Sequence, residues 1–297
     1  MRIDSAQLAA FAAVIREGSF ERAARTLNVT RSAVSQRVKQ LEERVGHVLV
    51  RRGVPCTPTD AGQGLFRHAH QMSHLEAEAL AALRGAGLAG ATVAIAVNAD
   101  SLATWFIDAL APLARERGLA FDVLVEDEHH SSELLRQGRV MAAVTSDPDA
   151  VQGCRVVRLG AMRYRPVASP AFVQRFFPRG VDASSLAAAP VLVFNRKDAL
   201  QVRFVRRFTR RALGAPTHWL PSSQGFVDAT LTGMGWGMNP EALVREHLEA
   251  GTLVDLAPRE PVDVVLYWQH WRLEISALKW LTESVLRVVR DALRAPR

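Results

Sequence analysis

The sequence predicts an α/β protein whose first 58 residues form a winged helix-turn-helix, carried by a long helix on a larger body. Three observations predict this. Apolar residues recur at helical spacing in three short capped segments before residue 46, one long helical repeat spans residues 59–84, and strand and helix patterns alternate from Ala91 onward. A chain of 297 residues accommodates a small module attached to such a body.

In the first segment Leu8, Phe11 and Ile15 share one helical face over Ser5–Glu17, and Gly18 is a natural stop. Ser19 is the expected N-cap of a second helix on which Phe20, Ala23, Ala24 and Leu27 repeat. Asn28-Val29 supplies a tight turn, and Thr30 caps a third helix running to Gly46 with Val34, Val38, Leu41 and Val45 buried. Its other face carries Arg31, Ser32, Ser35, Gln36 and Lys39. Arg31 and Gln36 can make paired hydrogen bonds to base edges, while Ser32, Ser35 and Lys39 suit base edges or phosphate oxygens. Two short extended pieces, Val48–Arg51 and Pro55–Thr57, read as a wing that brings Arg51 and Arg52 to a phosphate backbone. Charge agrees with this layout. Residues 1–58 hold ten Arg/Lys against five Asp/Glu and the remainder 27 against 25, so a polyanion partner is expected for the head rather than the body.

Thr59 is the expected cap of the long helix to about Arg84. Leu65, Ala69, Met72, Ala79 and Leu83 make a narrow apolar seam on it, suited to pairing between subunits. His70, His74 and Glu78 fall at i, i+4 and i+8, but no further Cys/His cluster completes a metal site, so they read as a solvated face. The run 85–90 matches a dinucleotide-binding glycine pattern literally. It follows a helix and opens a strand, the reverse of the true fingerprint, and reads as a linker.

In the body, Val93, Ile95 and Val97 alternate as a strand, a helix opened by Ser101 runs to Arg115, and Phe121–Val125 and Met141–Thr145 are further strands separated by a helix over 131–138. Val167-Ala168, a helix opened by Ser169-Pro170, Val191–Phe194, a helix near Leu200–Ala212, strand Val264–Trp268 and a closing helix Ile275–Arg294 follow. Ligands of open α/β lobes sit where strands end and helices begin. The first strand ends at Asn98, Asp100 and Ser101, which with Thr104 can hold a carboxylate; Ser101 reads equally well as a plain N-cap. Asp100, Asp127 and Glu128 are the leading acceptors for cationic groups, with Thr145 after the third strand. Asn195, Asp198, Ser222, Ser223 and Phe226 can close from the other side, with Trp268 near a hinge.

Several stretches carry a resemblance. Phe20-Glu21-Arg22-Ala23-Ala24, Ser32-Ala33-Val34-Ser35-Gln36-Arg37, Leu41-Glu42 and Thr59-Asp60-Ala61-Gly62 resemble the signature of LysR-type transcriptional regulators. Val97–Trp105, Leu266-Tyr267-Trp268, Gly153–Val156, Met162-Arg163-Tyr164 and Gly235–Met238 are similar to the LysG/ArgP group within that family. The resemblance spans essentially the whole chain. It implies a periplasmic-binding-protein-like effector domain in two lobes: 91–164 plus 269–297, and 165–268, behind a head of 1–58 and a linker helix of 59–90. It also implies a homodimer or homotetramer on double-stranded promoter DNA, acting with RNA polymerase and activating a basic amino acid exporter gene in response to L-lysine or L-arginine. Gln224 stands where the group often has an acid, which bears on charge preference.

No enzyme motif is present: no G-x-S-x-G, P-loop or H-E-x-x-H, and neither Cys56 nor Cys154 lies beside a base. No cofactor is expected. With no apolar run of about 18 residues and no signal-peptide core, the expectation is a soluble cytoplasmic chain without membrane contact. The competing expectation from another class is a ligand-independent chromosome-binding protein, either blocking replication initiation or coating DNA.

Overall fold

The computed structural model describes residues 3–83, 90–126, 131–212 and 214–295; Asp127, Glu128 and the 85–89 part of the glycine-rich run lie outside them. The head is α1 (Ser5–Glu17), α2 (Phe20–Thr26) and α3 (Arg31–Val45), followed by a two-stranded wing, β1 (Val50–Arg51) with β2 (Thr57–Pro58). Its ends are set by local chemistry. The Ser19 hydroxyl accepts from the backbone N–H groups of Glu21 and Arg22, and the Thr30 hydroxyl from that of Ala33. Gly18 and Gly46 end their helices in the left-handed conformation, and Asn28 at φ 53° makes the helix-turn-helix turn. Phe11, Val34, Val38, Leu41 and Leu49 form a core of their own, joined by Phe66 from the next helix.

That helix, α4 (Asp60–Leu83), is capped by Thr59, whose hydroxyl accepts from Gly62 N–H at 3.1 Å. It ties head to body within one chain. Phe66 meets Phe11 edge-on, while one turn later His70 Nδ1 donates to the Gly138 carbonyl at 2.9 Å and stands edge-on to Trp271. The Arg67 guanidinium donates to the Gln152 carbonyl. Glu78 accepts from the Ser276 N–H at 2.9 Å and from its hydroxyl, holding a carboxylate at a helix N-terminus. The expected seam is therefore divided. Ala69 is buried against this chain, whereas Met72, Leu75, Leu80 and Leu83 remain exposed. His70 and Glu78 are not a solvated face; both are joined to the body.

This junction makes stability depend on pH. Burial lowers the His70 pKa, and burial together with His70 lowers that of His74 to about 4. The unfolded chain takes up these protons first, from about 6.5 downward, so the stability present above pH 6.5 is lost as pH falls toward 4. With solvent screening, about 1–2 kcal/mol goes by pH 5. Denaturant midpoints of the full chain between pH 7 and 5 should show the loss, and a His70→Gln, His74→Gln variant should show less of it.

The body is organised by one seven-stranded sheet. β3 (Thr92–Val97) pairs in parallel with β4 (Ala120–Val125) and β5 (Ala142–Thr145), the alternation expected of α/β chains. Between β3 and β4 runs one continuous helical path: α5 (Ala99–Ser101), a π-helical turn Leu102–Phe106 and α6 (Ile107–Arg117). It begins before Ser101, with Asn98 at the cap position. After α7 (Ser131–Arg136) and β5 comes β6 (Cys154–Ala168), 15 residues long where only Val167-Ala168 is expected from the pattern.

The second half of the body is α8 (Pro170–Phe176), α9 (Ala183–Ala188), β7 (Val191–Val193), α10 (Leu200–Val205), β8 (Thr217–Trp219), α11 (Ser223–Leu231), β9 (Gly237–Pro240), α12 (Glu241–Glu249) and β10 (Val254–Asp255). β11 (Val262–Trp271) returns antiparallel along β6 from Tyr164 to Cys154, and α13 (Ser276–Ala292) closes the chain. β6 and β11 cross between two groups of elements. Tyr267–His270 pair with β5, while Tyr164–Val167 pair with β9 and Val167-Ala168 with β10. α10 is shorter than the expected helix to Ala212. Arg203, Arg206, Arg207, Arg210 and Arg211 would line up as like charges at i, i+3 and i+4 along it, which opposes continuation.

Candidate functional site

Two sites stand out: an exposed helix face on the head and a cavity in the body. On α3, Arg31, Ser32, Gln36 and Lys39 are exposed and Ser35 is half-buried, opposite buried Val34, Val38 and Leu41. Lys39 is 3.6 Å from Glu43 on the same helix, and Arg51 in the wing is 3.0 Å from Asp60. Arg52 lies over the Phe20 ring. These are exposed ion pairs and contacts, weak enough for phosphates to replace. The face thus offers a cationic and amide row along the first turns of a helix-turn-helix recognition helix, flanked by wing arginines.

The cavity, about 480 Å³, opens where the helical path after β3 faces elements of the second half. Asn98, Asp100, Val125, Glu126 and Ser146 line it from one side. From the other come Asn195, Lys197, Asp198, Arg203, Ser223 and Phe226, with Tyr164 and Val264 on the crossing strands. The volume suits a small molecule. Asp100 is its central acid. One carboxylate oxygen accepts from the Tyr164 hydroxyl at 2.7 Å, and the other from the Ser223 hydroxyl at 2.6 Å. Burial pushes its pKa up, the two hydroxyls pull it down, and Asp198 pushes it up again; the balance is a raised value.

The expected site residues divide. Asn98, Asp100, Asn195, Asp198, Ser223 and Phe226 line this cavity. Ser101, Thr104, Thr145, Ser222 and Trp268 do not, and each has a physical reason. The Ser101 side chain is fully buried in the helical path, and its hydroxyl has no partner among the described residues. The Thr104 hydroxyl donates back to the Asp100 carbonyl at 2.7 Å, a bond within the helix. Thr145 is buried and accepts from the Asp147 N–H. Ser222 is the N-cap of α11. Trp268 is core, packed near Phe106 and donating to the Thr282 hydroxyl.

Glu126, Tyr164, Lys197 and Arg203 are additions. Glu126 precedes Asp127 and Glu128 in one acidic run, and its place at the end of β4 is the signal that selects it. A larger open cavity of about 790 Å³ lies among Arg165, Glu241, Asp255 and Arg294. Four of its charges already satisfy one another: Arg165 bonds Glu241 and Asp255, and Arg294 bonds Glu241.

Comparison with known proteins decides the family. Residues 5–63 match the bacterial regulatory helix-turn-helix protein, lysR family, and residues 86–290 match the LysR substrate binding domain. The chain belongs to the LysR family. It is a transcriptional regulator of the LysG/ArgP type, and not an enzyme. The HTH-type transcriptional regulator LysG of Mycobacterium bovis is 48% identical over 285 residues, covering 96% of this chain and 93% of that protein. The crystal structure of ArgP from Mycobacterium tuberculosis superposes with a TM-score of 0.91 at 47% identity, covering 99% of this regulator and all (100%) of that chain. Full-length LysG from Corynebacterium glutamicum with bound effector Arg matches with a TM-score of 0.84 at 40% identity, covering 98% of the regulator and 100% of that chain. The regulator therefore has the LysR architecture of a DNA-binding head and an effector-type domain. No helix among the described residues is long and apolar enough to cross a membrane.

Proposed function

We propose that this regulator switches transcription of a basic amino acid exporter gene when L-arginine or L-lysine occupies the 480 Å³ cavity. The observation that carries the reading is the acid pair on the cavity wall, Asp100 and Glu126, placed to receive an ammonium or guanidinium. Arginine bound to the Corynebacterium LysG supports it. Asp127 and Glu128, next in the chain, are proposed as further acceptors for the cation, and Asn98, Asn195, Asp198, Ser223 and Phe226 complete the surround. A ligand-independent chromosome-binding protein would have no use for such a cavity.

The proposed division is a head of 1–58, a linker of 59–90 and an effector domain of 91–297 whose lobes, 91–164 with 269–297 and 165–268, meet at the cavity. Arg31, Ser32, Ser35, Gln36 and Lys39 enter the major groove, and Arg51 and Arg52 hold phosphates. The exposed Met72, Leu75 and Leu83 of α4 support a homodimer or homotetramer, which presents two heads to half-sites about one helical turn apart. Such an assembly works in the cytoplasm, activating by contact with RNA polymerase.

Footprinting the full chain on DNA flanking its own gene tests this. The expected result is one short, roughly palindromic protected site whose pattern changes with L-arginine or L-lysine. Arg31→Ala should relax base preference at a few positions by ~1–3 kcal/mol each. A salt-sensitive, sequence-indifferent smear unaffected by amino acids would refute the reading.

A further inference from the structure

The wall of the cavity formed by the second half of the body carries two cationic side chains beside Asp198, which a site for a cation alone does not explain. Lys197 and Arg203 both line it. They belong to a segment, 196–211, that holds seven Arg/Lys against one acid, and no acid follows before Asp228. The other residues of 59–297 hold 20 Arg/Lys against 24 Asp/Glu; of this cationic segment Lys197 and Arg203 line the cavity, beside Asp198. Arg203 makes no ion pair among the described residues, whereas Arg207, nearby in sequence, is bonded to Glu260. Facing this wall are Asp100 and Glu126. The cavity therefore carries charge of both signs, and a ligand bearing only positive charge would leave Arg203 without a counter-charge.

The place expected for a carboxylate, the helix start after β3, is poorly suited to one. Asp100 already puts its own carboxyl there, Ser101 lies behind it, and the Thr104 hydroxyl is bonded to the helix backbone. We propose that Arg203, assisted by Lys197, is the seat of the effector's α-carboxylate, so that the amino acid lies across the cavity with its ammonium and side-chain cation toward Asp100 and Glu126. This rests on the amino acid reading above and adds to it an orientation and a selection rule. The carboxylate is required, and decarboxylated diamines are rejected although they carry the same cationic groups. The guanidinium fork of Arg203 suits a carboxylate in a way a point charge does not.

The test is calorimetric titration of the full chain with two ligand pairs: L-arginine with agmatine, and L-lysine with cadaverine. Each pair differs by the carboxylate. The expected result is amino acid binding at least ~10- to 100-fold tighter than its decarboxylated partner. In Arg203→Met that ratio should collapse toward one, through loss of amino acid affinity, while diamine affinity holds or rises. Arg203→Lys should recover part of the ratio, and Lys197→Met should reduce it by less than Arg203→Met. Because the readout is a ratio, a variant that merely damages the cavity is distinguishable: it weakens both ligands together, and that outcome overturns the proposal. Equal binding of amino acid and diamine by the unaltered chain, or an unchanged ratio in Arg203→Met, also overturns it while leaving the amino acid reading intact. If neither amino acid binds the unaltered chain, the amino acid reading falls and the carboxylate seat falls with it.

Discussion

Asp100→Asn should weaken the binding of a basic amino acid by ~2–5 kcal/mol, roughly 30- to 4,000-fold, because it leaves a buried cation facing a neutral amide. The substitution preserves shape: one of the Tyr164 and Ser223 hydroxyls keeps an oxygen to donate to, and the other turns to accept from the new amide N–H. pH gives a second readout. The raised pKa of the Asp100 carboxyl, due first to burial, means that it holds its proton to higher pH than a free side chain does. A protonated carboxyl offers no charge to an ammonium, so effector affinity should rise with pH through that value in the unaltered chain. In Asp100→Asn this dependence should vanish. Without effector the sign is opposite for stability. The folded chain binds the proton more tightly than the unfolded one, so stability declines as pH rises from the ordinary 3.8 through the raised value. Titrations at several pH values check the first, and denaturant midpoints the second. An Asn variant with undiminished affinity and an unchanged pH profile would remove Asp100 from the site.

What made Asp100 legible in the sequence also shows where sequence reading stops. The head was readable almost residue by residue because its determinants are local: Ser19, Thr30, Gly18 and Gly46 cap or stop helices through bonds to neighbours three or four positions away. The strand ends at Asn98 and Glu126 are likewise fixed by short patterns. β6 was not readable. Its 15 residues alternate imperfectly, with Arg155, Arg158, Arg163 and Arg165 along it, and its continuity comes from pairing with β11 about a hundred residues away. Ser101 and Thr104 show the same limit at the level of one side chain. Their hydroxyl type suits a ligand, but the helical path starts at Ala99 and points them elsewhere. Tyr164 on one side, and Lys197 with Arg203 on the other, enter the cavity from two distant parts of the chain, and only the fold assembles them. Nonlocal pairing is invisible to period and cap.

The junction of α4 with the body is where the cavity can reach the head, and the second large effect is expected there, in Gly138→Val. Gly138 sits at φ +70°, and a Cβ built there would lie 2.8 Å from the Arg67 Cα and 2.9 Å from its Cβ. A β-branched side chain at this φ is strained by about 1–3 kcal/mol, and the overlap is with helix backbone that cannot rotate away. The total, ~3–5 kcal/mol, can be relieved in one local way: α4 lifts from the loop after α7, breaking the bond from His70 to the Gly138 carbonyl. That bond, the His70–Trp271 ring contact and the Arg67 and Glu78 hydrogen bonds join the DNA-reading unit to the body. The expected phenotype is therefore uncoupling. A LysR-type regulator with a coupling energy of about 1–3 kcal/mol between effector and operator should lose most of it, while head and cavity each still bind their own partner. Measuring operator affinity with and without saturating amino acid gives the coupling directly. His70→Ala removes the bond without the overlap, so it should lose a smaller share, and Gly138→Ala should fall between. If Gly138→Val keeps its fold and its full coupling, the signal travels by another path, and the exposed apolar face of α4 becomes the route to test.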